Sequence, residues 1–147
     1  MTIFVASDHA GFQLRQSIVQ HLVSRGVDVV DLGPPAPERC DYPDFAAKVA
    51  TRVARGEGRG VLVCGTGVGM SMSANKVAGI RAAVVSDVFS ARATRQHNDA
   101  NVLCLGERVV GTGLAAAIVD AWLDAEFEGG RHAGRIAKLH GLEATSP

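Results

Sequence analysis

The chain has 147 residues, 47% of them hydrophobic, which suits one domain of roughly 100–200 residues and excludes a two-lobed enzyme. Lys and Arg number 15 and Asp and Glu 15, so no net field draws the protein to nucleic acid or to a membrane surface. Three cysteines, Cys40, Cys64 and Cys104, form no CxxC pair, which argues against a disulfide framework or a zinc ribbon and fits a reducing, cytoplasmic setting.

The apolar run Ile3 to Ala6 is far shorter than a signal-peptide core or a membrane span of roughly 20 residues, and it reads as a first strand. A helix starting near Gly11 follows, with Leu14, Ile18, His21 and Leu22 at helical spacing and Gly26 as its stop; His21 reads as structural. Val27–Leu32 is the second strand. The Pro34-Pro35-Ala36-Pro37 segment cannot hydrogen-bond regularly and reads as a rigid surface loop before a helix from about Asp44 to Arg55, whose inward face carries Phe45, Val49 and Val53. Gly60–Cys64, Ala82–Ser86 and Val102–Leu105 are strands three to five, with an Ala- and Arg-rich helical stretch ahead of the fifth. Leu114, Ala117, Ile118, Ala121 and Trp122 form a later helix, and a C-terminal helix begins near Arg131. Continuous apolar runs such as Val61-Leu62-Val63 call for strands covered on both faces. Right-handed crossovers then give an α/β fold: a single-domain, three-layer sandwich around a five-stranded parallel sheet.

In such sheets ligands bind beyond the carboxyl ends of the strands. Strand one ends in Ser7-Asp8-His9, strand three in Cys64-Gly65-Thr66-Gly67-Val68-Gly69 and strand four in Ser86-Asp87, so these ends share one rim. The glycine loop is small enough for backbone N–H groups to approach an anionic oxygen, although a plain strand-to-helix turn explains the glycines equally well. It follows the third strand and lacks GxGxxG spacing, which argues against a nicotinamide cofactor. Cys64, just before the glycines, is a candidate base or nucleophile, since a helix N-terminus can lower a thiol pKa from about 8.5. Cys104, between Leu103 and Leu105, reads as inert core. His97 and Asn98 either cap a helix or move protons, and His9 beside Asp8 poses the same choice. An acidic stretch (Asp120, Asp124, Glu126, Glu128) precedes a basic tail (Arg131, His132, Arg135, Lys138, His140). There Arg131 and Arg135, four apart, can grip one phosphate or form a solvated face. Five histidines without HExxH spacing point to no metal and to metal-independent chemistry.

Six ordered blocks resemble the type B ribose-5-phosphate isomerases, grouped with galactose-6-phosphate and allose-6-phosphate isomerases. They are Ser7-Asp8-His9-Ala10-Gly11-Phe12, Asp41-Tyr42-Pro43, Cys64-Gly65-Thr66-Gly67-Val68-Gly69, Ala74-Asn75-Lys76, Arg95-Gln96-His97-Asn98-Asp99 and Glu128-Gly129-Gly130-Arg131-His132. The resemblance implies a Rossmann-like subunit in a homodimer, in some members a tetramer, with active sites shared between subunits. It implies aldose–ketose interconversion of ribose 5-phosphate and ribulose 5-phosphate through an enediolate, a step of pentose phosphate metabolism that uses no cofactor. By the same resemblance Cys64 is the base, Thr66 and the amides of Gly65, Gly67, Val68 and Gly69 stabilise the oxyanion, and His97 opens the sugar ring. Asp8, Tyr42 and Asn98 hold hydroxyls, while His9, Arg108, Arg131 and Arg135 surround the phosphate. One branch of the family has Glu at the position of Met70 and no cysteine at that of Cys64, so this chain falls in the thiol branch. Two alternatives stand beside this: an isomerase of allose 6-phosphate, galactose 6-phosphate or a tetrose phosphate, and a non-catalytic nucleotide-binding module.

Overall fold

A computed structural model describes residues 1–144. Five parallel strands, β1 (Thr2–Ser7), β2 (Asp28–Asp31), β3 (Gly58–Cys64), β4 (Ala82–Val84) and β5 (Val102–Gly106), form one sheet in the order β2-β1-β3-β5-β4. The helices between and after them are α1 (Phe12–Ser24), α2 (Tyr42–Ala54), α3 (Val68–Ala74), α4 (Val88–Asn98), α5 (Thr112–Asp124) and α6 (Arg131–Gly141). This is the expected three-layer α/β fold.

The two-residue pleat divides the core. Ile3, Val5, Val61, Val63, Leu103 and Leu105 point to one face, where they pack with Leu14, Ile18 and Leu22 of α1, Ala91 of α4, and Ile118 and Trp122 of α5. Phe4, Ala6, Leu62, Cys64, Val102 and Cys104 point to the other, against Ala46, Val49 and Val53 of α2 and Met70 and Ala74 of α3. Fully buried strands explain why the apolar runs are continuous rather than alternating. Chain order reverses between β1 and β3, whose register pairs Ser7 with Val63, so the carboxyl ends of these two strands flank the crevice where such sheets bind ligands.

Among the boundaries that differ from the sequence reading, three bear on the site. The fourth strand ends at Val84 instead of Ser86, because Asp87 turns outward to cap α4, its Oδ1 accepting the Ser90 N–H at 2.7 Å. Helix α2 begins at Tyr42 rather than Asp44, with Pro43 in its first turn, where a missing N–H costs nothing. His97 and Asn98 are the last residues of α4 rather than a segment beyond it. Among the described residues no helix is long and apolar enough to cross a membrane.

Candidate active site

The crevice is assembled from strand ends and the turns that follow them. At the end of β1, the buried Asp8 carboxylate accepts the N–H groups of Ala10 and Gly11 at 2.9 and 3.1 Å, while its own N–H donates to Val63 O. His9 sits with Nδ1 3.3 Å from both the carbonyl oxygen and the amide nitrogen of Cys40, which ties the long loop before α2 to the rim. Tyr42 lies against Gly69: a Cβ there would come within 2.9 Å of the phenol ring, so only glycine lets the ring this close.

Cys64 ends β3, buried at 5% exposure, and the Gly67 N–H donates to its Sγ at 3.1 Å. Gly67 has φ +82, a left-handed conformation that turns the chain from β3 into α3 and points its amide back at the sulfur. An N–H aimed at sulfur is the donor a thiolate needs. The first turn of α3 supplies further amides, since the leading N–H groups of a helix lack partners within it. Val68 N–H already leans on Thr66 Oγ1 at 3.3 Å, and Thr66 itself is exposed. Arg108, after β5, is exposed and packs beside Gly65, with its N–H donating to Gly65 O at 3.1 Å. Cys104 is enclosed in the core, where burial pushes its thiol pKa far up, with the neighbouring Cys64 adding to the effect. His21 bridges helices, its Nε2 2.6 Å from Asp120 Oδ1.

Four candidates lie elsewhere. Helix α4 starts beyond the carboxyl end of β4 and runs back past the sheet, so its last residues, His97 and Asn98, stand near the amino ends of β4 and β5. Arg81, immediately before β4, donates through Nε to the carbonyls of Asn98 and Asp99 at 3.1 and 2.9 Å. Arg131 and Arg135 join this end through α6, both exposed and without an ion pair among the described residues. The length of β5, about 13 Å from Val102 to Gly106, separates this end from Cys64, which pairs with Gly106. The candidate residues of one chain therefore fall into two groups. The sulfur, the glycine loop, Asp8, His9, Tyr42 and Arg108 sit on one rim, and His97, Asn98, Arg131 and Arg135 sit on the other.

The second group also contains residues that sequence reasoning did not select. His132 stacks on His97, with ring centroids 4.5 Å apart and planes 11° from parallel, and Glu128 Oε2 is 3.8 Å from Nε2 of each. All three donor atoms lie within 4.8 Å of one another. Parallel rings direct their in-plane lone pairs side by side rather than toward one centre, so this arrangement does not converge on a metal ion without turning a ring.

The ribose/galactose isomerase profile matches residues 3–139. The chain belongs to this family. It is 57% identical over 137 residues to ribose-5-phosphate isomerase B of Escherichia coli K12, covering 92% of each chain. It is 44% identical over 141 residues to D-erythrulose-4-phosphate isomerase of Pectobacterium atrosepticum, covering 95% of this chain and 93% of that one. The crystal structure of ribose-5-phosphate isomerase B from Mycoplasma genitalium with bound ribulose 5-phosphate superposes with a TM-score of 0.94 at 47% identity, over 99% of this chain and 97% of that one. Family membership makes the protein a sugar-phosphate isomerase and displaces the reading as a non-catalytic nucleotide-binding module.

Proposed function

We propose that this enzyme interconverts ribose 5-phosphate and ribulose 5-phosphate with Cys64 as the base. The observation that carries this reading is the Gly67 N–H on Cys64 Sγ at the carboxyl end of β3, beside the Asp8 and Tyr42 positions where sugar hydroxyls would lie. In the open-chain aldose, the thiolate removes the proton from C2. The C2–H electron pair forms the C1–C2 double bond, and the carbonyl π pair moves onto O1, where loop amides and Thr66 stabilise the charge. A proton transfers between O2 and O1, and the thiol returns its proton to C1, giving the ketose. No electron leaves the substrate, so the chemistry is balanced without a redox cofactor or a metal.

Ring opening falls to His97, and phosphate binding to Arg131 and Arg135 on its rim together with His9 and Arg108 on the Cys64 rim. Because these groups occupy opposite rims of one chain, the reading includes a homodimer in which each site combines the Cys64 rim of one copy with the His97 rim of the other. A cytoplasmic setting accords with three free thiols, one of them the base. A coupled assay tests the assignment: the wild type forms ribulose 5-phosphate with or without chelator, and Cys64→Ala lowers kcat by roughly 10²–10⁴-fold. Unchanged turnover in Cys64→Ala would refute the thiol base. The tetrose-phosphate relative supports a second substrate reading, and a panel of tetrose, pentose and hexose phosphates, including allose and galactose 6-phosphates, ranks them by kcat/KM.

A further inference from the structure

His97 is the last-but-one residue of α4, and its side chain is 42% exposed. Among the described residues it has no hydrogen bond, and Glu128, its one ionic neighbour, is 3.8 Å away. An imidazole this free samples several rotamers, whereas proton transfer to or from a sugar oxygen requires one orientation. What holds the ring is His132. That residue is buried at 7% exposure in the first turn of α6, and its placement is fixed by backbone. Glu128 N–H donates to Gln96 O at 3.0 Å, which pins the incoming chain to the last turn of α4. Gly129 and Gly130, with φ of +64 and +55, then reverse the chain, and His132 N–H closes the turn on Gly129 O at 3.0 Å. The reversal lays the His132 ring flat on that of His97.

We propose that His132 is the positioning residue of the ring-opening histidine: its buried imidazole is the platform that sets the orientation of His97, and the Glu128 carboxylate is the charge both rings face at 3.8 Å. The proposal rests on the reading of His97 as the group that opens the sugar ring. Charge distribution agrees with it. Burial lowers the proton affinity of His132, the nearby His97, Arg131 and Arg135 lower it further, and Glu128 opposes them. The stack and its basic neighbours therefore disfavour the charged form of His132.

The test uses the chemistry of the two substrates. Ribose 5-phosphate is mainly a closed furanose and needs opening. Ribulose 5-phosphate cannot close onto its own C5 oxygen, which carries the phosphate, and so enters the site already open. Replacing His132 by Ala removes the platform; kcat from ribose 5-phosphate should fall about tenfold or more, while kcat from ribulose 5-phosphate stays within about twofold. His132→Phe restores a flat ring and should recover most of the forward rate, with thermal melting confirming that both variants fold. His97→Asn, measured beside them, should show the same one-directional loss. Equal losses in both directions in His132→Ala, or a raised KM for both sugars, would mean that His132 merely supports Arg131 and would overturn the proposal. If His97→Asn shows the one-directional loss and His132→Ala does not, the platform fails alone. If His97→Asn shows none, the ring-opening role of His97 fails and the platform falls with it.

Discussion

At the scale of single residues, the proposed thiol base depends on a backbone amide held 3.1 Å from its sulfur. Gly67 supplies it. Its φ of +82 is costly for an L residue, and a Cβ there would stand 3.0 Å from the backbone carbon of Leu105 and 3.2 Å from its nitrogen and oxygen. Leu105 cannot easily yield, since β5 is held between β3 and β4 in the sheet. Gly67→Ala should therefore lose about 1–2 kcal/mol from conformation alone, read as a lower Tm. It should lower kcat more than it raises KM, because the displaced amide leaves Cys64 Sγ. A variant with normal kcat would show that this amide is dispensable. Cys64 and its glycines were legible in sequence because a strand end followed by a glycine turn is a local signal. His132 was not. It stood in the same block as Arg131, but the stacking that gives it a role is tertiary, and nothing in the spacing of one histidine reports a ring packed upon it.

At the scale of elements, apolar runs revealed every strand and helical spacing revealed α1, α2 and α5; burial on both faces dictates the continuous runs of β1, β3 and β5, while the edge strands β2 and β4 are only partly covered. The distribution of the site over two rims was present in the sequence but required one more step. In a right-handed crossover the helix runs antiparallel to the strands it joins, so residues ending a helix lie at the amino end of the next strand. His97, a few residues before β5, must then stand opposite Cys64. What secures that last turn of α4 is Asp99, at φ +47, which accepts Arg95 Nη1 at 2.6 Å and Arg81 Nη2 at 3.0 Å. Arg95 is 5% exposed, so removing its partner strands a buried charge. Asp99→Ala should cost about 3 kcal/mol, at the low end for a broken buried pair because Asp99 is itself partly exposed. Asp99→Asn, which tolerates the left-handed conformation and keeps an acceptor oxygen, should lose less. Denaturant melts order the three proteins; an Ala variant as stable as the wild type would mean that the ion pairs do not anchor this turn.

At the scale of the molecule, a chain that holds its proposed base and its proposed ring-opening group about a strand length apart cannot use both on one small sugar. Arg131 and Arg135, exposed and without an ion pair among the described residues, make the same point, since a phosphate bound by them would be far from the Cys64 sulfur of their own chain. The proposed homodimer would resolve this, because a closed twofold arrangement places the same two rims against each other twice. The consequence is quantitative. Cys64→Ala and His97→Asn homodimers each lack one function at both sites. In a mixed dimer one site collects both defects and the other collects none. Equal amounts of the two variants, unfolded together and refolded, should give hybrids in half of the dimers and so recover about a quarter of the wild-type rate from ribose 5-phosphate. Variants refolded separately and then mixed should stay near their own low rates until subunits exchange. If co-refolding yields no more than the average of the two parents, each chain works with its own residues, and the shared site is wrong.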